Sequence, residues 1–234
     1  MFSKSAVFYD AIYSFKDYAG ECQMIHSLIQ QHKRSPGNTL LDVACGTGLH
    51  DACLQSDYEI VGIDLDAEMV KIAQQRLPAA AYYQGDMRDF DLGEPFDAVV
   101  CLFSSIGYLL SVEDMRQTLR NFYRHTKPGG VMLLEPWLQA DKLIAGHVGM
   151  INAEQPDLKL TRMTQITRRG VFSDLHMVYM VGKADGITTF EETHHMRLFS
   201  HEEYASAVTD AGYTLTYDPQ GLMNRGLYIG VRPV

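Results

Sequence analysis

Leu41-Asp42-Val43-Ala44-Cys45-Gly46-Thr47-Gly48 closes an apolar, strand-like run and opens a helical one. Glycine lacks a Cβ atom, so the backbone at such a turn can approach a ligand closely. A dinucleotide-binding turn would read GxGxxG and would need glycine at position 51. Asp51 stands there instead, which weakens a pyrophosphate reading. Asp42, just before the turn, suits a ligand with a cationic head better than a phosphate. Taken alone, the GxG spacing also fits a purely structural tight turn.

Working outward, the first 150 residues alternate short apolar runs with helical periodicity, the pattern of an α/β chain with a parallel sheet. Helical spacing covers Glu21–His32 and stops at Ser35-Pro36-Gly37. Strands are expected at Thr39–Cys45, Glu59–Leu65, Ala80–Gln84 and Phe96–Phe103. The last of these contains the longest unbroken apolar run, Ala98–Phe103, and is expected to be buried on both faces. Ser111 with Asp114 resembles a capping box ahead of a helix. Lys127-Pro128-Gly129-Gly130 turns into a strand at Val131–Glu135. From about residue 157 to 199 the periodicity changes to two, with Leu175, Met177, Tyr179 and Val181 on one face. Turn signals at Arg169-Gly170 and Asp185-Gly186 divide this stretch into three antiparallel strands, read as an insertion. Ser200–Glu203 is a second capping-box match, and two short strands, Tyr213–Tyr217 and Leu227–Val231, close the chain.

Three expected strand ends carry chemistry. The first is the glycine turn. The second is Asp64, placed where a doubly wound fold uses an acid to accept hydrogen bonds from ribose hydroxyls. Asp66 fits better as the cap of the following helix. The third is Gly85-Asp86-Met87, whose carboxylate can accept from an exocyclic amine while the methionine packs on a ring. In an open α/β sheet these ends form one crevice at the carboxyl edge.

These residues resemble the class I S-adenosylmethionine-dependent methyltransferases. The resemblance rests on Leu41–Gly48, Ile63-Asp64-Leu65, Gly85–Phe90, the strand ending at Leu102, and Lys127–Gly130. It implies a doubly wound, Rossmann-like, seven-stranded and mostly parallel sheet with a reversed last strand, here carrying an inserted antiparallel β lid. The chain is then one methyltransferase domain, 1–234, with the insertion at about 157–199. The implied cofactor is S-adenosyl-L-methionine. Ala44, Gly46 and Gly48, with Asp42 nearby, would lie at its methionine part. Asp64 and Leu65 would take the ribose, Asp86 and Met87 the adenine, and Leu102 would touch it from the fourth strand.

A narrower resemblance, to the TDP-amino-sugar N,N-dimethyltransferases of macrolide pathways, covers nearly the whole chain. It rests on Tyr9-Asp10, Lys16-Asp17-Tyr18, Gly85–Phe90, Phe103-Ser104-Ser105-Ile106-Gly107-Tyr108, Glu135-Pro136-Trp137 and Arg225–Gly230. It implies that Tyr9 and Tyr18 close over the cofactor and that Tyr108 faces the acceptor amine as the catalytic residue. Gly107 is expected to provide the sharp bend before Tyr108. Ser105, Trp137, Arg162 and Arg225 are the expected substrate contacts, with Arg225 on an anionic part. The chain departs from the family pattern at Leu138, at Leu222-Met223-Asn224 and at Phe2, all on the substrate side.

Composition narrows the alternatives. Twenty Lys and Arg against 29 Asp and Glu give a net charge of −9, unsuited to displacing counterions from nucleic acid. A membrane-spanning helix needs about 20 apolar residues, and the longest run here is six. Met1–Tyr13 has no signal-peptide core. Four cysteines without paired spacing read as reduced and cytoplasmic. Nine histidines show no metal-ligand spacing, and neighbouring His194 and His195 would point to opposite faces of a strand. The expected partner is a small molecule, with no nucleic acid, membrane or metal, and with a homodimer contact through the insertion. Three other readings remain open on the residues: methylation of an oxygen or carboxylate, a nicotinamide-dependent oxidoreductase, and a cofactor-binding module without catalysis.

Overall fold

In a computed structural model describing residues 4–234, the chain forms two sheets; Phe2 lies outside the described residues. The first elements are a short 3-10 turn, α1 (Tyr9–Ile12) and α2 (Tyr18–His32). Then come β1 (Thr39–Val43), α3 (Leu49–Leu54), β2 (Glu59–Asp64), α4 (Ala67–Arg76) and β3 (Ala81–Gln84). β4 (Phe96–Cys101), α5 (Val112–Arg124) and β5 (Thr126–Leu134) complete the parallel part. Four long strands follow: β6 (Val148–Gln155), β7 (Leu158–Arg169), β8 (Phe172–Lys183) and β9 (Gly186–Arg197). The chain ends with α6 (His201–Asp210), β10 (Thr214–Asp218) and β11 (Leu227–Val231).

The larger sheet has seven strands in the order β10-β11-β5-β4-β1-β2-β3. It is parallel except at β11, which runs antiparallel to both β5 and β10. Strand order reverses beside β1, where β2 and β4 pair on its two sides. Such a switch point opens a crevice at the carboxyl ends of the strands. β4 is buried throughout, as its apolar run requires. One core layer includes Leu41, Val99, Met132, Leu119 and Phe122; the other includes Ile25, Ile29, Leu40, Val100 and Leu133. The helix starts follow their capping residues. Asp17, Asp66, Ser111 and Ser200 each accept a backbone N–H of the first turn, and Ser200 with Glu203 forms the full reciprocal box.

The second sheet, β6-β7-β8-β9, shares no ladder with the first. It has one strand more than the sequence pattern predicts and begins at Val148, not near residue 157. β6 escapes sequence reading because its first outward positions, Val148 and Met150, are apolar and the inward Gly149 between them has no side chain, which blurs the alternation over the first half of the strand. Leu175, Met177, Tyr179 and Val181 do share a buried face, packed on Ile12 of α1 and on Trp137. Trp137 Nε1 donates to Ser173 Oγ at 3.0 Å and fastens the sheet to the end of β5.

Asp97 ties three strands together at the amino-terminal edge. Its carboxylate accepts from the Thr39 hydroxyl at 2.7 Å, from the Gly37 and Thr39 amides, and from Lys127 Nζ at 2.8 Å. Burial alone would raise its pKa, but the hydrogen bonds from Lys127, Ser35 and Thr39 outweigh it and hold the carboxyl below the usual range. A depressed carboxyl stabilises the fold fully above its unfolded pKa of about 4, and the stabilisation is lost as pH falls through the folded value. Asp97→Ala removes the charge and leaves its donors unpaired. We expect it to lower unfolding free energy by about 3–5 kcal/mol at pH 7 in denaturant titrations, with a smaller deficit below pH 3.

Candidate active site

The glycine turn leaves β1 through alternating left-handed residues: Ala44 at φ 62°, Gly46 at 57° and Gly48 at 72°. A Cβ on Gly46 would meet no atom within 4 Å, so its backbone angle and the open space beside it explain the glycine. At Gly48 a Cβ would lie 3.2 Å from Ala73 Cβ and from Tyr82 Oη. Gly48 therefore serves helix packing and does not line the spaces described below. Asp64 holds the turn closed: Oδ2 accepts from the Gly46 amide and Oδ1 from the Asp66 amide, both at 2.9 Å. Burial raises its pKa, against the opposing pull of those two amides.

Three connected spaces open at the carboxyl edge of the large sheet. The first, about 290 Å³, is lined by Ala44, Gly46, Asp64, Leu65, Asp86 and Met87, together with Tyr9, Ser105 and Tyr108. Asp86 is bound to Arg88 at 2.6 Å, which lowers its pKa chiefly by hydrogen bonding. The second is a narrow recess beneath the glycine turn, with Tyr18, Asp42, His50, Leu102 and Phe103 in its walls. The third, about 440 Å³, lies between the two sheets and is lined by Trp137, Arg162 and Arg225, among others. Tyr9 and Ser105 border all three, and Tyr108 borders the first and third. The residues expected from sequence thus converge, Gly48 excepted.

Several details depart from expectation. The bend before Tyr108 falls at Phe103 (φ 51°) and Ser104 (φ 66°), not at Gly107. Gly107 is needed because a Cβ there would come within 2.7 Å of Trp137 Cβ and 2.8 Å of Met196 Cε. The strained pair is held by Glu135 Oε2, which accepts from the Phe103 amide at 2.7 Å, and by the Ser104 hydroxyl, which donates to Pro136 O at 2.7 Å. Arg162 is buried and donates to Tyr13 Oη at 3.0 Å. Arg225 lies 5.1 Å over the Trp137 ring and donates to Ser104 Oγ at 2.8 Å.

Some site residues give no decisive sequence signal. His194 is buried, with Nδ1 2.5 Å from Tyr108 Oη. Lys16 is buried in an ion pair with Glu21, which also meets His50 Nε2 at 2.9 Å. The N-terminal segment is pinned on two sides. Asp10 accepts from Thr47 Oγ1 at 2.7 Å and pairs with Arg76, and Ser5 Oγ donates to Glu192 at 2.6 Å. Glu135 stands in the quoted Glu-Pro-Trp stretch, where a charged residue at the end of an apolar strand was the available clue.

The recess is strongly acidic. Asp42 and Asp51 are buried neighbours, and Tyr82 Oη donates to Asp51 at 2.9 Å. Asp42 Oδ1 has no hydrogen-bond partner among the described residues. Burial first, then the Asp51 charge, pushes the Asp42 carboxyl well up. Burial pushes Asp51 up to about 6. Asp42 in the recess wall offers a buried acid to a positively charged ligand, while Lys16 lies 4.5 Å over Tyr18 and 4.8 Å over Phe103, two other wall residues.

Comparison with known proteins agrees with this geometry. Residues 40–130 match the family described as a methyltransferase domain. The dTDP-4-amino-2,3,4,6-tetradeoxy-D-glucose N,N-dimethyltransferase of Saccharopolyspora spinosa is 38% identical over 227 residues, covering 96% of this chain and 91% of the relative. The dTDP-3-amino-3,6-dideoxy-alpha-D-glucopyranose N,N-dimethyltransferase of Streptomyces fradiae is 38% identical over 230 residues, covering 97% and 90%. Among solved structures, DesVI of Streptomyces venezuelae superposes with a TM-score of 0.90 at 34% identity, covering 97% of this chain and 98% of that one. CalS10, a SAM-bound amino pentose methyltransferase from Micromonospora echinaspora, gives 0.87 at 34% identity, covering 96% of each chain. The chain belongs to the S-adenosylmethionine-dependent methyltransferase family that includes these amino-sugar enzymes, and S-adenosylmethionine is its cofactor.

The raised Asp51 carboxyl makes a stability prediction. Its folded pKa lies above the unfolded one, so the favourable contribution is present below about pH 4 and is lost as pH rises through about 6. Asp51→Asn keeps an acceptor for Tyr82 and a donor toward Asp42 but does not titrate. In cofactor-free protein we expect the variant to gain on the parent between pH 4 and 7, by on the order of 2–3 kcal/mol. A constant difference across that range in thermal or denaturant unfolding refutes the assignment.

Proposed function

We propose that this enzyme methylates the amino group of a nucleotide-linked amino sugar, and does so twice. The observation that carries the reading is the chamber between the sheets, where an acidic chain of net charge −9 gathers two arginines, Arg162 and Arg225, beside Trp137. Guanidinium groups pair with the oxygens of a diphosphate, and an indole offers a face to a ring. The relatives named above, by their descriptions, act on dTDP-amino sugars, which supports the same class here.

In this reading Asp64 accepts from the ribose hydroxyls and Leu65 packs beside them. Asp86 and Met87 take the adenine. The recess of Ala44, Gly46, Asp42 and Leu102 receives the methionine part, its carboxylates matching the positive ammonium and sulfonium. Bound S-adenosylmethionine supplies a methyl group already activated on a cationic sulfur. The protein then has to align and to exclude water. Tyr108 and Ser105 hold the acceptor nitrogen at the junction of the spaces, and Tyr108 accepts an N–H so that the lone pair points along the line of attack. Proximity of this kind is worth roughly 7–11 kcal/mol in favourable cases. Tyr9 and Tyr18 close over the reacting groups. The positive sulfur also disfavours an ammonium beside it, keeping the amine neutral.

The test is turnover on a panel of dTDP-linked amino sugars with methyl-labelled cofactor. Dimethylated amine as product supports the proposal; label on oxygen, or none on any amine, overturns it. For the cofactor half, Asp64→Asn weakens two hydroxyl contacts. We expect the calorimetric dissociation constant to rise about 10–100-fold, the equivalent of ~1.5–3 kcal/mol. An unchanged value sinks the ribose assignment.

The setting we infer is a reducing cytoplasm, which four free cysteines suit, and the two sheets act as one domain. The outer face of the second sheet exposes Val148, Met150, Met163, Val178, Met180 and Ile187. An apolar face of this size marks an interface, and a second copy of the chain is its partner in this reading. Light scattering at micromolar concentration should give twice 26.4 kDa; a monomer refutes the dimer and leaves the enzyme assignment standing.

A further inference from the structure

We propose that His194 is the proton relay for Tyr108, drawing off the proton that the acceptor nitrogen must lose at each methylation. The proposal rests on the amine-methyltransferase reading. It stands on geometry: Tyr108 Oη and His194 Nδ1 are 2.5 Å apart, across a junction between the turn after β4 and the inner face of β9.

The chemistry requires such a group. The acceptor nitrogen gives its lone pair to the methyl carbon; the N–C bond forms as the C–S bond breaks, and that electron pair stays on sulfur. The nitrogen is left as a cation that still carries a proton, and in that form it cannot accept a second methyl. A phenol is a poor resting place for that proton. Tyr108 can pass it on, however: the nitrogen's proton goes to Oη while the hydroxyl proton goes to His194 Nδ1. Tyr108 ends the step as it began, and the imidazolium surrenders its proton to solvent when the site opens.

The surroundings suit the task. His194 Nε2 lies 3.7 Å from Glu192 Oε2, which favours the proton on Nε2 and leaves Nδ1 as the acceptor. Burial lowers the His194 pKa, against the pull of Glu192, so the ring rests neutral and gives its proton back readily. Burial likewise raises the Tyr108 pKa, which keeps its hydroxyl protonated between turnovers. Among the described residues, the other ionisable groups facing the pair include Arg162 of β7, Tyr179 of β8, Tyr9 of α1, Tyr13 just after it and Asp64 of β2. Glu192 is itself held by the Ser5 hydroxyl and amide, which anchors the relay to the segment carrying Tyr9.

His194 acts through Tyr108, so the test is a double-mutant cycle of His194→Gln and Tyr108→Phe. Glutamine can still accept from the Tyr108 hydroxyl but cannot hold a proton. On a dTDP-amino sugar that the parent methylates, His194→Gln should lower kcat roughly 100-fold. The acceptor KM and the calorimetric cofactor dissociation constant should stay within about threefold, because no ligand contact is removed. In the Tyr108→Phe background the same change should cost nothing further. Equal losses in both backgrounds, or an unchanged kcat, overturn the relay. A second measurement needs neither a variant nor an active substrate. The ¹⁵N spectrum of His194 in cofactor-free protein at neutral pH should show the Nε2-protonated tautomer; the Nδ1-protonated form or an imidazolium also overturns it. A parent inactive on every amine fails the functional reading instead, and the spectrum still judges the pair.

Discussion

The Asp64 carboxylate is the tie on which the cofactor side is built. One oxygen holds the Gly46 amide and the other the Asp66 amide, so the end of β2 fixes the turn after β1. That turn must run through left-handed backbone at Ala44, Gly46 and Gly48, conformations that cost energy at the alanine and require support. With the turn fixed, Tyr82 can reach Asp51, and Asp51 can sit against Asp42 in a recess with no compensating cation among their hydrogen-bond partners. On the reading proposed above, a cationic ligand would relieve that recess, and the cost of burying the two acids would become affinity for it.

The acceptor side depends on a second strained turn. Phe103 and Ser104 are both left-handed, without glycine to ease them, and Glu135, Pro136 and Arg225 hold them. Both turns stand at carboxyl ends of neighbouring strands, β1 and β4. The junction of the three spaces therefore lies between two fixed loops and the N-terminal segment, which Asp10 and Ser5 pin from two sides.

The large sheet was legible because its strands are short apolar runs separated by helical spacing, with α4, α5 and α6 announced by Asp66, Ser111 and Ser200. The glycine turn, Asp64 and the Asp86-Met87 pair were legible because their places at strand ends follow from that alternation. β6 was not, since Val148 and Met150 on its outer face interrupt the period of two that identifies a strand. His194 was not, for a different reason. That adjacent histidines face opposite ways is readable, but which one faces inward depends on pairing His194 with the buried Leu175, and register does not follow from spacing. Asp51 was read only as a missing glycine; its burial against Asp42 is a contact between separate elements. Gly107 was credited with a bend because glycine usually signals one, whereas here it makes room for Trp137 and Met196.

The absence of any ladder between the two sheets bears on how such an enzyme can diverge. Residues of β7 and β8 that line the chamber between the sheets can be exchanged over generations without disturbing the hydrogen bonds that hold the glycine turn. Descendants can acquire new acceptors while keeping the donor unchanged. Side-chain ties between the halves limit that freedom, among them Trp137 to Ser173 and Tyr108 to His194. A lineage that replaced either partner alone would first lose the alignment of its two halves, so those four positions should change together or not at all.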